Sequence, residues 1–130
     1  MNGVNWAIEQ KADVVNMSLG GAFISEAEAQ AYRRAEEAGV FIAAASGNDG
    51  KNRVSYPAAL ETITAVGAIG PDLRKADFSQ WGPELDVVAP GVETYSSVPR
   101  GTGRDATVNI DLDGRGLNEI RCMPFVGSPL

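Results

Sequence analysis

Residues 40–45 read Val-Phe-Ile-Ala-Ala-Ala, a short continuous apolar run placed between a glycine and a turn. A run without alternation is what a strand covered on both faces of a parallel sheet looks like. Ser46-Gly47-Asn48-Asp49-Gly50 stops it with turn chemistry. In front of it lies a helix over residues 26–38. Ser25 is a good N-cap, and Glu28, three positions on, completes a capping box. Ala27, Ala31, Ala35 and Ala38 form one small-residue face, the charges point outward, and Gly39 is the expected C′ residue. A further strand over 13–19, ended by Gly20-Gly21, precedes that helix. Strand, helix and strand make a βαβ unit whose crossover should be right-handed, so the fold class is α/β with a parallel sheet.

The same reading extends along the chain. Val4, Ala7 and Ile8 stand at helical spacing and predict a helix over 4–11, ending near Ala12. Tyr56-Pro57 belongs to a loop, 62–68 to a strand, and Gly70-Pro71-Asp72 to a turn. Residues 85–88 form another short buried strand, closed by Ala89-Pro90-Gly91, and 94–98 is a further candidate. The pattern changes near Pro99. Residues 100–104 form a glycine-containing linker, and 106–112, ATVNIDL, alternate as an exposed-edge strand does. The expected division is therefore an α/β unit over 1–99 and a linker with the start of a β-rich segment over 100–130.

Composition excludes several function classes. The 130 residues suit one domain with a real core. No apolar run approaches the roughly 18 residues of a membrane span, and no signal-peptide pattern opens the chain. A net charge of −6 argues against a nucleic-acid surface, which needs clustered Lys and Arg. Cys122 is the sole cysteine, so no internal disulfide can form. There is no histidine at all, so no His-dependent acid–base, nucleophile or metal site can be built from these residues.

Asn48 stands just beyond the carboxyl end of the 40–45 strand, where open α/β sheets build their sites. Its amide can donate to a developing negative charge while itself neutral, as an oxyanion hole requires. Read alone, Gly-Asn is an ordinary turn. The neighbouring motifs change that reading: DVVNMSLGG at 13–21, Tyr56-Pro57-Ala58, ITAVGA at 63–68, and FSQWGPELDVVAPGV at 78–92. In this order and at these spacings the chain resembles the subtilisin-like serine proteases, the subtilases of peptidase family S8. The likeness runs over about residues 4–99.

The resemblance implies a parallel sheet with helices on both faces, a partial three-layer α/β/α fold, and a parent enzyme that hydrolyses peptide bonds with an Asp–His–Ser triad. Asn48 matches the oxyanion-hole asparagine. Ser18-Leu19-Gly20 matches the segment that pairs with an extended substrate by β-augmentation. Ala44, Ala45, Ser46 and Gly47 resemble the wall of the first specificity pocket, with Ser46 adding polarity where alanine is frequent in the family. Tyr56-Pro57 matches a motif with a cis peptide. Glu84 and Asp86 lie two apart, on one side of an extended segment. In some subtilisins this segment helps to bind a weak cation such as calcium, but a solvated acidic pair is the favoured reading here. No cofactor is required. The parent is expected to be extracellular or periplasmic, to act on peptide or protein substrates, and to need neither nucleic acid nor membrane.

Three departures limit what the chain is expected to do alone. The aspartate and histidine motifs should precede Met1, and neither is present. Gly101-Thr102-Gly103 has the first two letters of the nucleophile motif, yet glycine stands where the serine should be; Ser128 lacks the motif. The chain therefore reads as a central fragment of the catalytic domain, inactive alone, running into the start of a protease-associated-domain insertion. Asn109-Ile110-Asp111-Leu112-Asp113-Gly114 resembles the opening of a calcium loop, but Ile120 occupies the twelfth position where a bidentate Glu is needed. Asp113-Gly114 fits a hairpin turn better. The alternative function is a non-catalytic, subtilase-like peptide-binding module. A dinucleotide-binding domain is a weaker reading, since no glycine-rich fingerprint follows a first strand. A piece with uncovered sheet edges is also expected to self-associate.

Overall fold

The computed structural model describes residues 2–92, 94–97, 106–110 and 118–125. Helix α1 (Asn2–Glu9) buries Val4 and Ala7 and half-buries Ile8. It starts and ends two residues before the expected range. The amides of Gln10 and Ala12 still donate to Trp6 and Ala7 at 2.9 and 3.0 Å, and Lys11 turns the chain out with φ 55°. Strand β1 (Val14–Met17) follows, then helix α2 (Glu26–Glu37) and strand β2 (Phe41–Ala45).

Both ends of α2 are closed as the sequence predicts. Ser25 Oγ accepts from the Glu28 amide at 3.2 Å, while the Ser25 amide donates to Glu28 Oε2 at 3.0 Å. Those Ser25 contacts, the backbone amide first, hold the Glu28 carboxyl below its usual range. At the other end Gly39, with φ +81°, donates to Glu36 O at 2.8 Å, and the Val40 amide donates to Ala35 O at 2.9 Å. That pair of bonds is a Schellman motif, and the accompanying contact is between buried Val40 and Ala35. The buried face differs from the expected one. Ala31 and Ala35 are buried, but with Ala29 and Tyr32, while Ala27 and Ala38 are exposed. Burying the Tyr32 ring centres the inward stripe about 100° around the helix from Ala27, one residue step at 3.6 residues per turn. Burial raises the Tyr32 phenol's pKa, and the Glu28 charge adds to the rise.

Strands β3 (Thr64–Ile69) and β4 (Val87–Pro90) complete one parallel sheet in the order β1-β2-β3-β4. Val14 lies opposite Phe41, Ala44 opposite Ala65, and Val66 opposite Val87. The parallel-sheet expectation therefore holds, with shorter or shifted strands. Ser18 and Leu19 lie beyond the β1–β2 ladder, which ends at Met17 and Ala44. Leu85 stays outside β4 because its amide is held by Gly82 O in a turn. Pro90, which cannot donate to a ladder, ends a strand at the outer position of the sheet.

The core lies on the helical side: Val4, Tyr32, Ala35, Val40, Ile42, Ala44, Val54, Ala58, Ile63 and Ala65 pack together, with Val15 and Met17 against them. On the opposite side of β2, Phe41 is 53% exposed and Ala43 and Ala45 are only half-buried. The described residues supply one helical layer, so a run able to be covered on both faces is covered on one. A second, antiparallel sheet contains β5 (Thr94–Ser97), β6 (Ala106–Ile110) and β7 (Asn118–Phe125) in the order β5-β7-β6. The expected strand over 106–112 is thus β6, at an edge of that sheet. The linker at 100–104, Asp113-Gly114 and Ser128 lie outside the described residues. No helix among the described residues is long and apolar enough to cross a membrane.

Candidate functional site

Asn48 sits in a loop that the sheet launches and three other segments hold. As β2 ends, the Ser46 amide donates to Val66 O at 2.9 Å, which carries the ladder one residue past Ala45. Ser46 O accepts from the Ser55 amide at 2.8 Å, and Gly47 O accepts from the Gln80 amide at 3.0 Å. Gly47 adopts φ +112°, and a Cβ there would run into the Gln80 side-chain amide. Gly50, at φ +68°, donates to Phe78 O at 2.7 Å; a Cβ on it would stand 2.6 Å from Asp77 O. Both glycines are therefore required by backbone conformation and by close approach. Asn48, half-buried, lies between these two pinned points, beyond the carboxyl end of β2.

The segment after β1 meets the same region. Gly21 exchanges two backbone hydrogen bonds with Tyr56, at 2.8 and 2.9 Å. A Cβ on Gly20 would lie 3.2 Å from Ser55 Cβ and 3.4 Å from Tyr56 O. Ser18 and Leu19 are exposed, and β1 pairs only with β2 among the described residues, so its other edge is open. Ser55 and Tyr56 thus join the 18–21 segment to Ser46 and Gly47, at the carboxyl end of the parallel strands. The Tyr56-Pro57 peptide is cis, as the motif implied.

Ala45 is half-buried, while Ser46 and Gly47 are buried. The Ser46 hydroxyl donates inward to Gln80 O at 3.0 Å and the residue is 2% exposed. It therefore adds no polar group to an exposed wall. Glu84 and Asp86 are both exposed. The Asp86 carboxylate accepts the Ala65 amide at 2.7 Å, and its own amide donates to Ala65 O, so this side chain anchors the start of β3. Among the described residues no three His, Cys, Asp or Glu side chains gather as metal ligands would.

The subtilase family model matches residues 1–114. The chain belongs to the subtilase family. It is 44% identical over 106 residues to subtilisin E of Bacillus subtilis (strain 168), covering 78% of this chain and 28% of that protein. It is 42% identical to subtilisin DY of Bacillus licheniformis, covering 39% of it. Among solved structures, the psychrophilic subtilisin-like protease Apa1 from Pseudoalteromonas sp. AS-11 superposes with a TM-score of 0.77 at 34% identity. That match covers 82% of this chain and 24% of Apa1. The chain thus spans between about a quarter and two fifths of the length of these relatives.

Within this subtilase, sequence reasoning placed Ser46 in the pocket wall and missed the two other residues that support the loop, Ser79 and Gln80. Ser46, Ser79 and Gln80 are the buried polar side chains among the described residues, and all three adjoin it. Ser79 Oγ accepts from the Ala68 amide at 2.9 Å, and Lys75 Nζ donates to Ala76 O and Ser79 O at 2.8 and 3.2 Å. The available signal was a polar pair, Ser79-Gln80, enclosed between Phe78 and Trp81.

Proposed function

We propose that the protein carrying this chain is a serine-type endopeptidase that hydrolyses peptide bonds, and that this chain supplies its oxyanion donor and substrate-binding edge. Asn48 would donate its amide to the tetrahedral intermediate as charge moves onto the former carbonyl oxygen. Ser18, Leu19 and Gly20 would pair with the substrate backbone, beside a pocket wall of Ala45, Ser46 and Gly47. The single observation that supports this reading is the convergence of the Asn48 loop and the Gly20–Gly21 segment on Ser55 and Tyr56, past the ends of the parallel strands.

The chain has no histidine, so the triad's general base would come from another part of the protein, and so would its nucleophile, since Gly103 stands where the motif's serine would be. By itself the chain would be inactive. The segment from residue 100 would begin a β-rich insertion; its strands β6 and β7 pair antiparallel, and β7 also pairs with β5, which precedes residue 100. The protein would act outside the cell or in the periplasm, as the family's resemblance implies. A serine-directed phosphonate probe tests the enzymatic reading. It should label a serine beyond residues 1–130 and abolish hydrolysis of a chromogenic peptide; labelling of a serine within them would overturn it.

A further inference from the structure

We propose that Gln80 is a positioning residue for Asn48: its buried amide clamps the loop so that the asparagine meets the developing oxyanion. The proposal rests on the oxyanion reading of Asn48 given above. Gln80 is 4% exposed, and every polar atom it carries is engaged with the chain around Asn48. Its Oε1 accepts from the Asp49 amide at 3.4 Å and from Ser55 Oγ at 3.1 Å. Its Nε2 donates to Arg53 O at 2.5 Å. Its backbone amide holds Gly47 O, and its carbonyl accepts the Ser46 hydroxyl.

One side chain thus bridges both limbs of the loop, from Gly47 and Asp49 on the incoming side to Arg53 and Ser55 on the outgoing one. It also occupies the space a Cβ at Gly47 would need, so the glycine's open φ and the glutamine's position depend on each other. A buried amide held by three hydrogen bonds favours one geometry, because displacement strands polar groups away from water. Catalysis by a preorganised donor needs that fixity. The donor must wait where the oxyanion will form, and a misplacement of about 1 Å can cost about 10²-fold in rate.

The test is a mutant cycle in the active protein that carries this chain. Gln80→Met keeps the side chain's size and removes its hydrogen bonds. It should lower kcat by about ten- to a hundredfold with KM nearly unchanged. In an Asn48→Ala background the same change should cost less than about twofold, because a positioning residue has nothing left to position. Hydrogen exchange in the peptide spanning 46–50 should rise by about tenfold in Gln80→Met, the effect of losing one ordinary hydrogen bond. Ser55→Ala, which deletes one partner of Oε1, should show the same pattern more weakly and carries the test if Gln80→Met does not fold. Equal losses of kcat in both backgrounds, or an unchanged kcat in Gln80→Met, would overturn the proposal. An Asn48→Ala protein with wild-type kcat would instead remove the oxyanion reading on which it rests.

Discussion

Gly47 shows how much of the site is decided by single residues. Its φ of +112° is open to glycine and strained for other residues, and the Gln80 amide fills the place of its missing Cβ. Gly3 makes the contrast, since a Cβ there meets nothing within 4 Å inside α1. Gly47→Ala is therefore expected to destabilise the protein by about 1–3 kcal/mol through strain. Gly3→Ala should stabilise by up to about 1 kcal/mol through helix propensity. Urea unfolding of the two variants checks both signs, and equal effects would contradict this account of Gly47. The place of Asn48 past the carboxyl end of β2 was legible in the sequence because it follows an apolar strand within a long motif. Gln80 was not legible, because its partners at Gly47, Asp49, Arg53 and Ser55 lie 25 to 33 positions away in the chain. Burial of a polar residue follows from tertiary packing, and local pattern does not carry it.

At the scale of elements, the signals that were read correctly are local ones. The capping box at Ser25 and Glu28 and the Schellman stop at Gly39 involve residues three to five apart. The buried face of α2 was misread because an alanine repeat fits several rotations of a helix, and the Tyr32 ring selects one of them. Strand ends shifted because a ladder extends only as far as its partner. The capping box also makes α2 sensitive to acid. The Glu28 pKa is lowered from 4.5 in the folded chain. Its contribution is thus complete above the unfolded value and is lost as pH falls through the folded one. Stability followed by circular dichroism should fall on acidification through that window, and Glu28→Gln should flatten this part of the fall. An unchanged pH profile in Glu28→Gln would show that the ionised carboxylate contributes nothing there.

For the whole molecule, the uncovered side of the sheet has the largest physical consequence. On that side Val14, Phe41 and Val87 are each about half exposed or more, and parallel sheets are normally covered on both faces. We propose that this chain, expressed alone, self-associates through that face and the open edge of β1. Light scattering should show an average mass rising with concentration, whereas a monomer at high micromolar concentration would argue against it. In the protein that carries the chain, Asn48 is proposed to stabilise charge present only in the transition state. Steady-state kinetics of Asn48→Ala against wild type tests it most directly. Asn48→Ala should lower kcat by about 10²–10³, a range already known for a subtilisin and carried over from it, with KM nearly unchanged. A large rise in KM at constant kcat would instead make Asn48 a ground-state binding residue and rule out the oxyanion role.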